Sequence, residues 1–124
     1  MWSAELLRAR FAMADLPWQP EPLEERFFKD RDPADAAVLV PLVQRQDDLY
    51  VLLTLRTAHL NDHAGQISFP GGRCEPEDGG PIETALRETV EETGLAREFI
   101  EVLGTMPVYQ TATNFMVTPV VALV

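Results

Sequence analysis

The sequence predicts an α+β protein that forms one compact domain. Segments with strand character come first, one well-marked helix follows them, and two further strand-like segments come last. The predicted order β-β-β-α-β-β lacks the regular alternation of strands and helices that builds a parallel βαβ sheet. The chain has 124 residues, of which 46% are hydrophobic, and a chain of this length buries roughly two-thirds of its unfolded surface.

The N-terminal part of the chain is predicted to be an arm that precedes the domain. In residues 3–13, four side chains recur with helical spacing and predict a short amphipathic helix: Leu6, Leu7, Arg10 and Phe11. Residues 16–35 combine prolines with many charges and are expected to be irregular, with one helical turn at 23–28. Residues 1–35 are therefore expected to form a helical and irregular arm, and residues 36–124 the folded domain.

Three strands are predicted in the first half of the domain. Residues 37–43 form an apolar run, in which Pro41 indicates a sheet edge or a bulge. Residues 50–56 follow a polar turn and complete a β-hairpin. A polar loop then leads to a short strand at 67–69, and Pro70-Gly71-Gly72 predicts a sharp backbone turn.

One helix and two strands are predicted after that turn. Pro81 suits the first turn of a helix and Gly94 suits the position after its last turn. Both ends of a helix at 81–93 are therefore marked in the sequence. Residues 101–109 and 115–124 predict two strands separated by a loop rich in threonine.

Charge and cysteine content exclude several classes of protein. Ten Lys+Arg against twenty Asp+Glu give a net charge of −10. This charge argues against a non-specific nucleic-acid-binding protein, because neutralising phosphates needs an excess of cationic side chains. The single cysteine, Cys74, cannot form an intrachain disulfide, so a cytoplasmic protein is expected. The apolar runs are too short to cross a membrane as a helix, and no signal peptide is expected.

The predicted helix carries an acidic face. Glu88, Glu91 and Glu92 are spaced i, i+3 and i+4 and lie together. Like charges at i, i+4 destabilise a helix by about 0.2–0.5 kcal/mol per pair. A solvated surface explains such a triplet, and so does a site for a hard divalent cation, which binds several carboxylate oxygens. The residues predicted to pack on the sheet are Ile82, Ala85, Leu86, Thr89, Val90 and Thr93.

The sequence before the helix makes the acidic pattern more specific. Gly72 lies six residues before Asp78, and the second half of the helix with the two residues after it reads Arg87-Glu88-x-x-Glu91-Glu92-x-Gly94-Leu95. This combination resembles the signature box of the Nudix hydrolases, which cleave nucleoside diphosphates linked to another moiety. Three positions depart from that pattern: one extra residue separates Asp78 from Arg87, Asp78 replaces the usual Glu, and Thr89 replaces an aliphatic residue.

The resemblance implies a fold, a cofactor and a set of catalytic residues. The implied fold is an α/β/α sandwich with a mixed β-sheet, in which the box forms a loop-helix-loop. Glu88, Glu91 and Glu92 would bind Mg²⁺ or Mn²⁺ together with a carbonyl of Gly71, and Glu88 is one candidate for the general base. The remaining catalytic residue, Arg87, would position a glutamate through an ion pair, or else form a surface pair with Glu83 or Glu91.

A narrower resemblance links residues upstream of the box to the coenzyme A pyrophosphatase branch of that family. The matching segments are Leu52-Leu53-Thr54-x-Arg56, His59-Leu60-x-x-His63-Ala64-Gly65-Gln66 and Phe69-Pro70-Gly71-Gly72. The implied reaction is hydrolysis of coenzyme A or its derivatives to 3′,5′-ADP and 4′-phosphopantetheine. The residues expected to contact this small-molecule nucleotide are Arg56, His63, Gly71, Gly72 and Arg73.

Three alternatives stay open at this point. The substrate could be another dinucleotide or a nucleotide sugar, and the domain could be a catalytically silent binding module. Neither a nucleic acid nor a membrane is an expected partner, whereas a homodimer is compatible with the sequence. The chain also ends within an apolar strand, where the related proteins continue into a further strand and a closing helix, so a C-terminal truncation is left open.

Overall fold

The structure, a computed structural model, describes residues 3–13, 32–55 and 66–124. These residues form two α-helices, eight strands and two short 3₁₀ turns at Pro76–Asp78 and Arg97–Phe99. The helices are α1 (Ala4–Ala12) and α2 (Pro81–Thr93). The strands are β1 (Ala34–Arg45), β2 (Asp48–Val51), β3 (Thr54–Leu55), β4 (Ile67–Ser68), β5 (Gly71–Arg73), β6 (Glu101–Thr105), β7 (Tyr109–Gln110) and β8 (Phe115–Leu123).

Six of the strands form one mixed sheet around β1 and β8. These two strands run parallel to each other in continuous register, from Ala34 beside Phe115 to Leu42 beside Leu123. The other edge of β1 pairs antiparallel with β5 and then with β2. The other edge of β8 pairs antiparallel with β7 and β6. The predicted α+β class with a mixed sheet is confirmed, and β1 begins at Ala34, two residues before the predicted start of the domain.

Pro41 lies within a strand that is paired on both sides, so the prediction of an edge or a bulge is wrong. The backbone N–H of Leu39 donates to Pro70 O at 2.8 Å, and Pro41 O accepts from the N–H of Leu52 at 3.0 Å. Residues 39 and 41 direct their backbone groups to the same edge because successive residues of a strand alternate. The position where proline lacks an N–H therefore faces the gap between β5 and β2, the two strands that pair in turn with this edge of β1.

The glycine pair after Pro70 forms a strand instead of the predicted sharp turn. Gly71–Arg73 is β5, and it pairs with residues 36–38 of β1. A Cβ atom at Gly71 would lie only 2.7 Å from the Cα of Val38. Glycine is needed there because two backbones approach closely, not because the chain reverses.

Two of the other predicted strands are interrupted. The structure describes the segment 50–56 as far as residue 55. In this segment β2 ends at Val51, and a second strand, β3, begins at Thr54. β3 leaves the main sheet and pairs with β4 in a separate two-stranded ribbon. The segment 101–109 likewise divides into β6 and β7. The hairpin of β1 and β2, the strand at 67–68 and the strand β8 agree with the predictions.

The core lies between α2 and the sheet. Its buried apolar residues come from three elements: Ala37 and Leu39 of β1, Ala85 and Leu86 of α2, and Val120 and Ala122 of β8. Thr84 and Thr89 are also completely buried, whereas Ile82 and Val90 remain 37% exposed. The predicted packing face of α2 is therefore correct in its centre but wrong at Ile82 and Val90. The helix is turned so that Thr84 and Glu88 also face the fold.

The N-terminal helix packs against β6. Phe11 lies against Gly104, where an added Cβ would be 2.9 Å from the Cδ1 of the ring. Ser3 caps α1 by accepting from the N–H of Leu6 at 3.2 Å. A helix is confirmed at Ala4–Ala12, but its predicted amphipathic character is not, because no residue of α1 is buried and Leu6 is 43% exposed. The predicted turn at 23–28 lies outside the described residues. In the described part of the chain, no helix has the length and apolar composition needed to cross a membrane.

Candidate active site

The loop between β5 and α2 folds the side chain of Asp78 back over the start of the helix. Asp78 ends a 3₁₀ turn, and its Oδ2 accepts from the N–H of Glu75 at 2.9 Å. Gly79 and Gly80 follow with φ angles of 75° and 144°, which side chains with a Cβ rarely adopt. These two glycines let the chain turn directly into α2.

Asp78 is bound on several sides by hydrogen-bond donors. Arg87 binds it with two parallel bonds, from Nε to Oδ1 at 2.7 Å and from Nη2 to Oδ2 at 3.0 Å. The hydroxyl of Thr84 donates to Oδ2 at 2.7 Å. The carboxylate is only 5% exposed. Hydrogen bonds from Arg87 first, and then from the Glu75 N–H and the Thr84 hydroxyl, hold the pKa of Asp78 far below its usual range.

Arg87 connects Asp78 to the acidic face of α2. Its Nη1 donates to Glu88 Oε1 at 3.0 Å and approaches both oxygens of Glu91 at 3.4 Å. Its Nη2 also reaches the carbonyl of Arg73 at 3.3 Å. The Asp78 carboxylate, followed by Glu88, raises the pKa of Arg87 above its ordinary value, although partial burial opposes this. The guanidinium is therefore a fixed cation between β5 and the helix.

Arg87 contacts two of the glutamates that the sequence alternatives allowed, and also a carboxylate that they did not include. Its strongest contact is with Asp78, which neither alternative named, and it contacts Glu88 and Glu91 as well. Glu83 pairs instead with Arg97, at 2.6 Å. An ion pair between Arg87 and Glu83 is accordingly not part of the structure.

Glu88 rests directly on the backbone of β5. A Cβ added to Gly72 would lie 2.6 Å from the carboxyl carbon of Glu88 and 2.7 Å from its Oε1. The Glu88 side chain is 19% exposed. The structure therefore brings together Gly72, Arg87 and Glu88, which the sequence had placed in one site, and it explains why position 72 must lack a side chain.

The carboxylate oxygens of Glu88 and Glu91 are ligands of the type that a hard divalent cation binds. Among the described residues, no three acidic, histidine or cysteine side chains converge as a ready metal site. However, Glu88 and Glu91 both approach Nη1 of Arg87, and Glu88 lies close against the backbone of Gly72. Carboxylate oxygens are the ligands that Mg²⁺ and Mn²⁺ prefer. Glu91, which is 57% exposed, can reorient without disturbing the core.

The remaining predicted contact residues are placed only in part. Arg73 is exposed, and its guanidinium carbon lies 5.9 Å from the centroid of the Phe115 ring, within the range of a cation–π contact. Arg56 and His63 lie outside the described residues. Thr84 was missed as a member of this cluster, because nothing in its sequence neighbourhood distinguishes it from the other threonines of α2.

Two adjoining cavities flank the start of α2. Their volumes are about 390 and 480 Å³, and both are lined by Gly80, Pro81, Val108 and Thr118. Their size is typical of small-molecule sites. They lie at the N-terminal end of α2, and neither Arg87 nor Glu88 lines them.

The fold and this cluster together define the class of the protein. A sequence model of the NUDIX domain matches residues 33–122. The chain belongs to the Nudix family.

Its relatives carry the same family name. It is 47% identical to a Yersinia enterocolitica protein described as an uncharacterised Nudix hydrolase, NudL, over 72% of this chain and 45% of that protein. It is 44% identical to an Enterobacter protein of the same description, over 72% of this chain and 46% of that protein. The chain thus spans about half the length of these relatives. Their name agrees with the enzyme class that the sequence predicts.

Solved structures agree with the fold. A Nudix hydrolase from Mycobacterium smegmatis, RenU, has a TM-score of 0.63 at 23% identity and covers 75% of this chain and 62% of its own. The Ap4A hydrolase of C. elegans has a TM-score of 0.58 at 23% identity and covers 73% and 67%. The NUDIX domain of Shewanella oneidensis NrtR, solved with ADP ribose, has a TM-score of 0.52 at 22% identity and covers 83% and 70%.

Proposed function

We propose that the chain catalyses metal-dependent hydrolysis of a pyrophosphate bond in a nucleoside diphosphate linked to another moiety, with coenzyme A or a derivative as the substrate. The observation that carries the proposal is the contact between Glu88 and Gly72, held from the other side by Arg87. A carboxylate fixed against backbone beside a cluster of exposed acids is an arrangement suited to metal-assisted phosphate chemistry. The family membership supports the same reaction.

Glu88, Glu91 and Glu92 would hold Mg²⁺ or Mn²⁺, together with the carbonyl of Gly71. When bound, such an ion neutralises phosphate oxygens and makes a water molecule more acidic. This supply of positive charge matters because the chain itself carries a net charge of −10 and would otherwise repel an anionic substrate.

The other residues of the cluster position these groups. Asp78 fixes the plane of the Arg87 guanidinium through two hydrogen bonds. Arg87 in turn fixes Glu88, whose carboxylate is one candidate for accepting the proton of the attacking water. Attack at phosphorus forms a new P–O bond to the solvent oxygen and breaks the bond to the leaving phosphate. Arg73 is exposed on β5 and is suited to contact a phosphate of the substrate.

The choice of coenzyme A rests on the segments that precede the box in the sequence. The products would be 3′,5′-ADP and 4′-phosphopantetheine. The second candidate is another dinucleotide or a nucleotide sugar, in line with the Ap4A hydrolase and the ADP-ribose complex among proteins of similar fold. We further propose that the protein is cytoplasmic, since Cys74 is a free thiol and the proposed substrates are nucleotides found inside cells.

A substrate panel tests the proposal. Coenzyme A, dephospho-coenzyme A, Ap4A and ADP-ribose are each incubated with the protein and Mg²⁺ or Mn²⁺, in ¹⁸O-labelled water. We expect coenzyme A to be cleaved fastest, with the label in one phosphate product. Cleavage of another member of the panel at a higher kcat/KM would replace the substrate assignment, and absence of turnover with every member would contradict the proposed activity.

The metal assignment is tested without turnover. Adding Mg²⁺ should raise the Tm of the wild type, because a ligand that binds the folded state stabilises it. Addition of Mg²⁺ should raise the Tm of Glu92→Gln less than that of the wild type, and this variant should lose hydrolytic activity. Equal metal-induced shifts in the two proteins would contradict the role of Glu92 as a ligand.

A further inference from the structure

Thr84 uses its hydroxyl differently from the other two threonines of α2. The hydroxyls of Thr89 and Thr93 donate to the carbonyls four residues earlier in the helix, both at 2.7 Å. The hydroxyl of Thr84 lies 3.2 Å from the equivalent carbonyl of Gly80 but 2.7 Å from Oδ2 of Asp78. A hydroxyl has only one proton to donate, and a carboxylate oxygen is a stronger acceptor than a carbonyl oxygen. Thr84 therefore connects the helix to the preceding loop.

This bond is protected from water. Thr84 is completely buried, and the carboxylate that it binds is 5% exposed. Water cannot readily replace the hydroxyl there, so the loss of this donor would remove one of the three hydrogen bonds that hold Oδ2 of Asp78 in place. In contrast, a lost bond between Thr89 and Ala85 O would leave the helical hydrogen bonding of that carbonyl in place.

The bond fixes the carboxylate that orients Arg87. Oδ2 of Asp78 accepts from Thr84, from the N–H of Glu75 and from Nη2 of Arg87. A carboxylate held by all three donors cannot rotate about its terminal bond. Because the guanidinium is planar and binds Asp78 with two parallel bonds, its plane follows that of the carboxylate.

We propose that Thr84 is a positioning residue for the active site, acting through Asp78 and Arg87 on the carboxylate of Glu88. The inference rests on the proposed function, in which Glu88 serves the hydrolysis. Each link is a direct contact: Thr84 to Asp78 at 2.7 Å, Asp78 to Arg87 at 2.7 Å, and Arg87 to Glu88 at 3.0 Å. The buried hydroxyl thus specifies where Glu88 lies above Gly72.

Three variants separate this role from a purely structural one. Thr84→Val removes the hydroxyl and keeps the shape, and Thr84→Ser keeps the hydroxyl. Thr89→Val is the matched control, because Thr89 lies in the same helix and is equally buried, but its hydroxyl bonds to Ala85 O. If Thr84→Val does not fold, Thr84→Ala replaces it in the same comparison.

The first measurement does not depend on activity. The Nε–H of Arg87 is followed by ¹⁵N NMR, with its signal assigned from its disappearance in Arg87→Lys. We expect slow exchange with water in the wild type, since Nε donates to Asp78 at 2.7 Å. Exchange should become about tenfold faster in Thr84→Val and should stay close to the wild-type rate in Thr84→Ser and Thr89→Val.

The second measurement is steady-state kinetics at saturating Mg²⁺. We expect Thr84→Val to lower kcat about tenfold with KM within twofold of the wild type, Thr84→Ser to restore kcat, and Thr89→Val to leave it unchanged. Equal kcat in Thr84→Val and Thr89→Val, or equal loss in Thr84→Val and Thr84→Ser, would overturn the proposal. If the wild type hydrolyses no substrate of the panel, the proposed function fails, and the exchange rates still decide whether Thr84 orients Arg87.

Discussion

Two arginine–carboxylate pairs in this protein have nearly the same geometry but different surroundings. Arg8 binds Glu101 with two parallel bonds of 2.9 and 2.8 Å, and Arg87 binds Asp78 with bonds of 2.7 and 3.0 Å. The side chains of the first pair are 49% and 50% exposed, whereas those of the second are 25% and 5% exposed. The first joins α1 to β6, and the second joins a loop to α2.

The difference shows that the environment of an ion pair decides what the pair does. Each arginine lowers the pKa of its carboxyl partner. At Asp78 the N–H of Glu75 and the hydroxyl of Thr84 add to the effect, and there is little water to replace a missing donor. Water can solvate Glu101 if Arg8 leaves, and exposed pairs contribute little to stability. The buried pair is therefore expected to be indispensable and the exposed pair dispensable.

The largest effect is expected when the two arginines are replaced in the same way. Arg87→Met leaves Asp78 ionised, shielded from water and without its main donor, a change that is strongly destabilising. We expect its Tm to fall by roughly 10 °C or more and its hydrolytic activity to fall at least about 100-fold. Arg8→Met should lower Tm by about 3 °C or less and leave activity unchanged. Thermal denaturation and kinetics of both variants check this, and similar Tm losses would contradict the comparison.

The sequence predicts the parts of the site that local signals encode. Pro81 and Gly94 mark both ends of α2, and the structure begins the helix at Pro81 and gives Gly94 a left-handed φ of 74° at its end. The spacing of Glu88, Glu91 and Glu92 predicts an acidic face on α2, whereas their connection with Gly72 comes from the resemblance to the Nudix box. These features depend on neighbours within one or two turns of chain, which is the range over which sequence patterns are informative.

The parts that the sequence did not predict depend on distant contacts. The pair Gly71 and Gly72 looks like a turn signal, but its use is set by β1 on one side and by Glu88 on the other. The role of Thr84 depends on the direction of Asp78, which in turn depends on the φ angles of Gly79 and Gly80. Pro41 is tolerated in a central strand only because two partners meet beside it. None of these conditions is visible in the residues themselves.

The second-largest effect is expected when Gly71 and Gly72 are each replaced by alanine. At Gly71 the new Cβ meets the backbone of β1, which cannot move aside, so Gly71→Ala should lower Tm by roughly 5 °C or more. At Gly72 it meets the end of the flexible Glu88 side chain, so Gly72→Ala should change Tm little. Displacing Glu88 from Arg87 should nevertheless reduce kcat about 10- to 100-fold in Gly72→Ala.

Denaturation and kinetics of the two alanine variants separate the two roles. The expected pattern is a stability defect at position 71 and an activity defect at position 72. Wild-type kcat in Gly72→Ala would contradict the assignment of Glu88 to the site. A wild-type Tm in Gly71→Ala would contradict the close approach of β5 to β1.

The smallest effect is the dependence of the exposed pair on pH and salt. Because Arg8 lowers the pKa of Glu101, the pair stabilises the protein above the unfolded pKa of about 4.3 and loses this contribution as the pH falls. Glu101→Gln should therefore lower Tm by about 2 °C or less at pH 7. The difference should vanish in 1 M NaCl and should shrink as the pH falls below the unfolded pKa of about 4.3. Asp78→Asn is the matched control, since its larger Tm loss should persist in 1 M NaCl and diminish only as the pH falls below about 4. A salt-resistant loss in Glu101→Gln, equal to that in Asp78→Asn, would show that burial does not distinguish the two pairs.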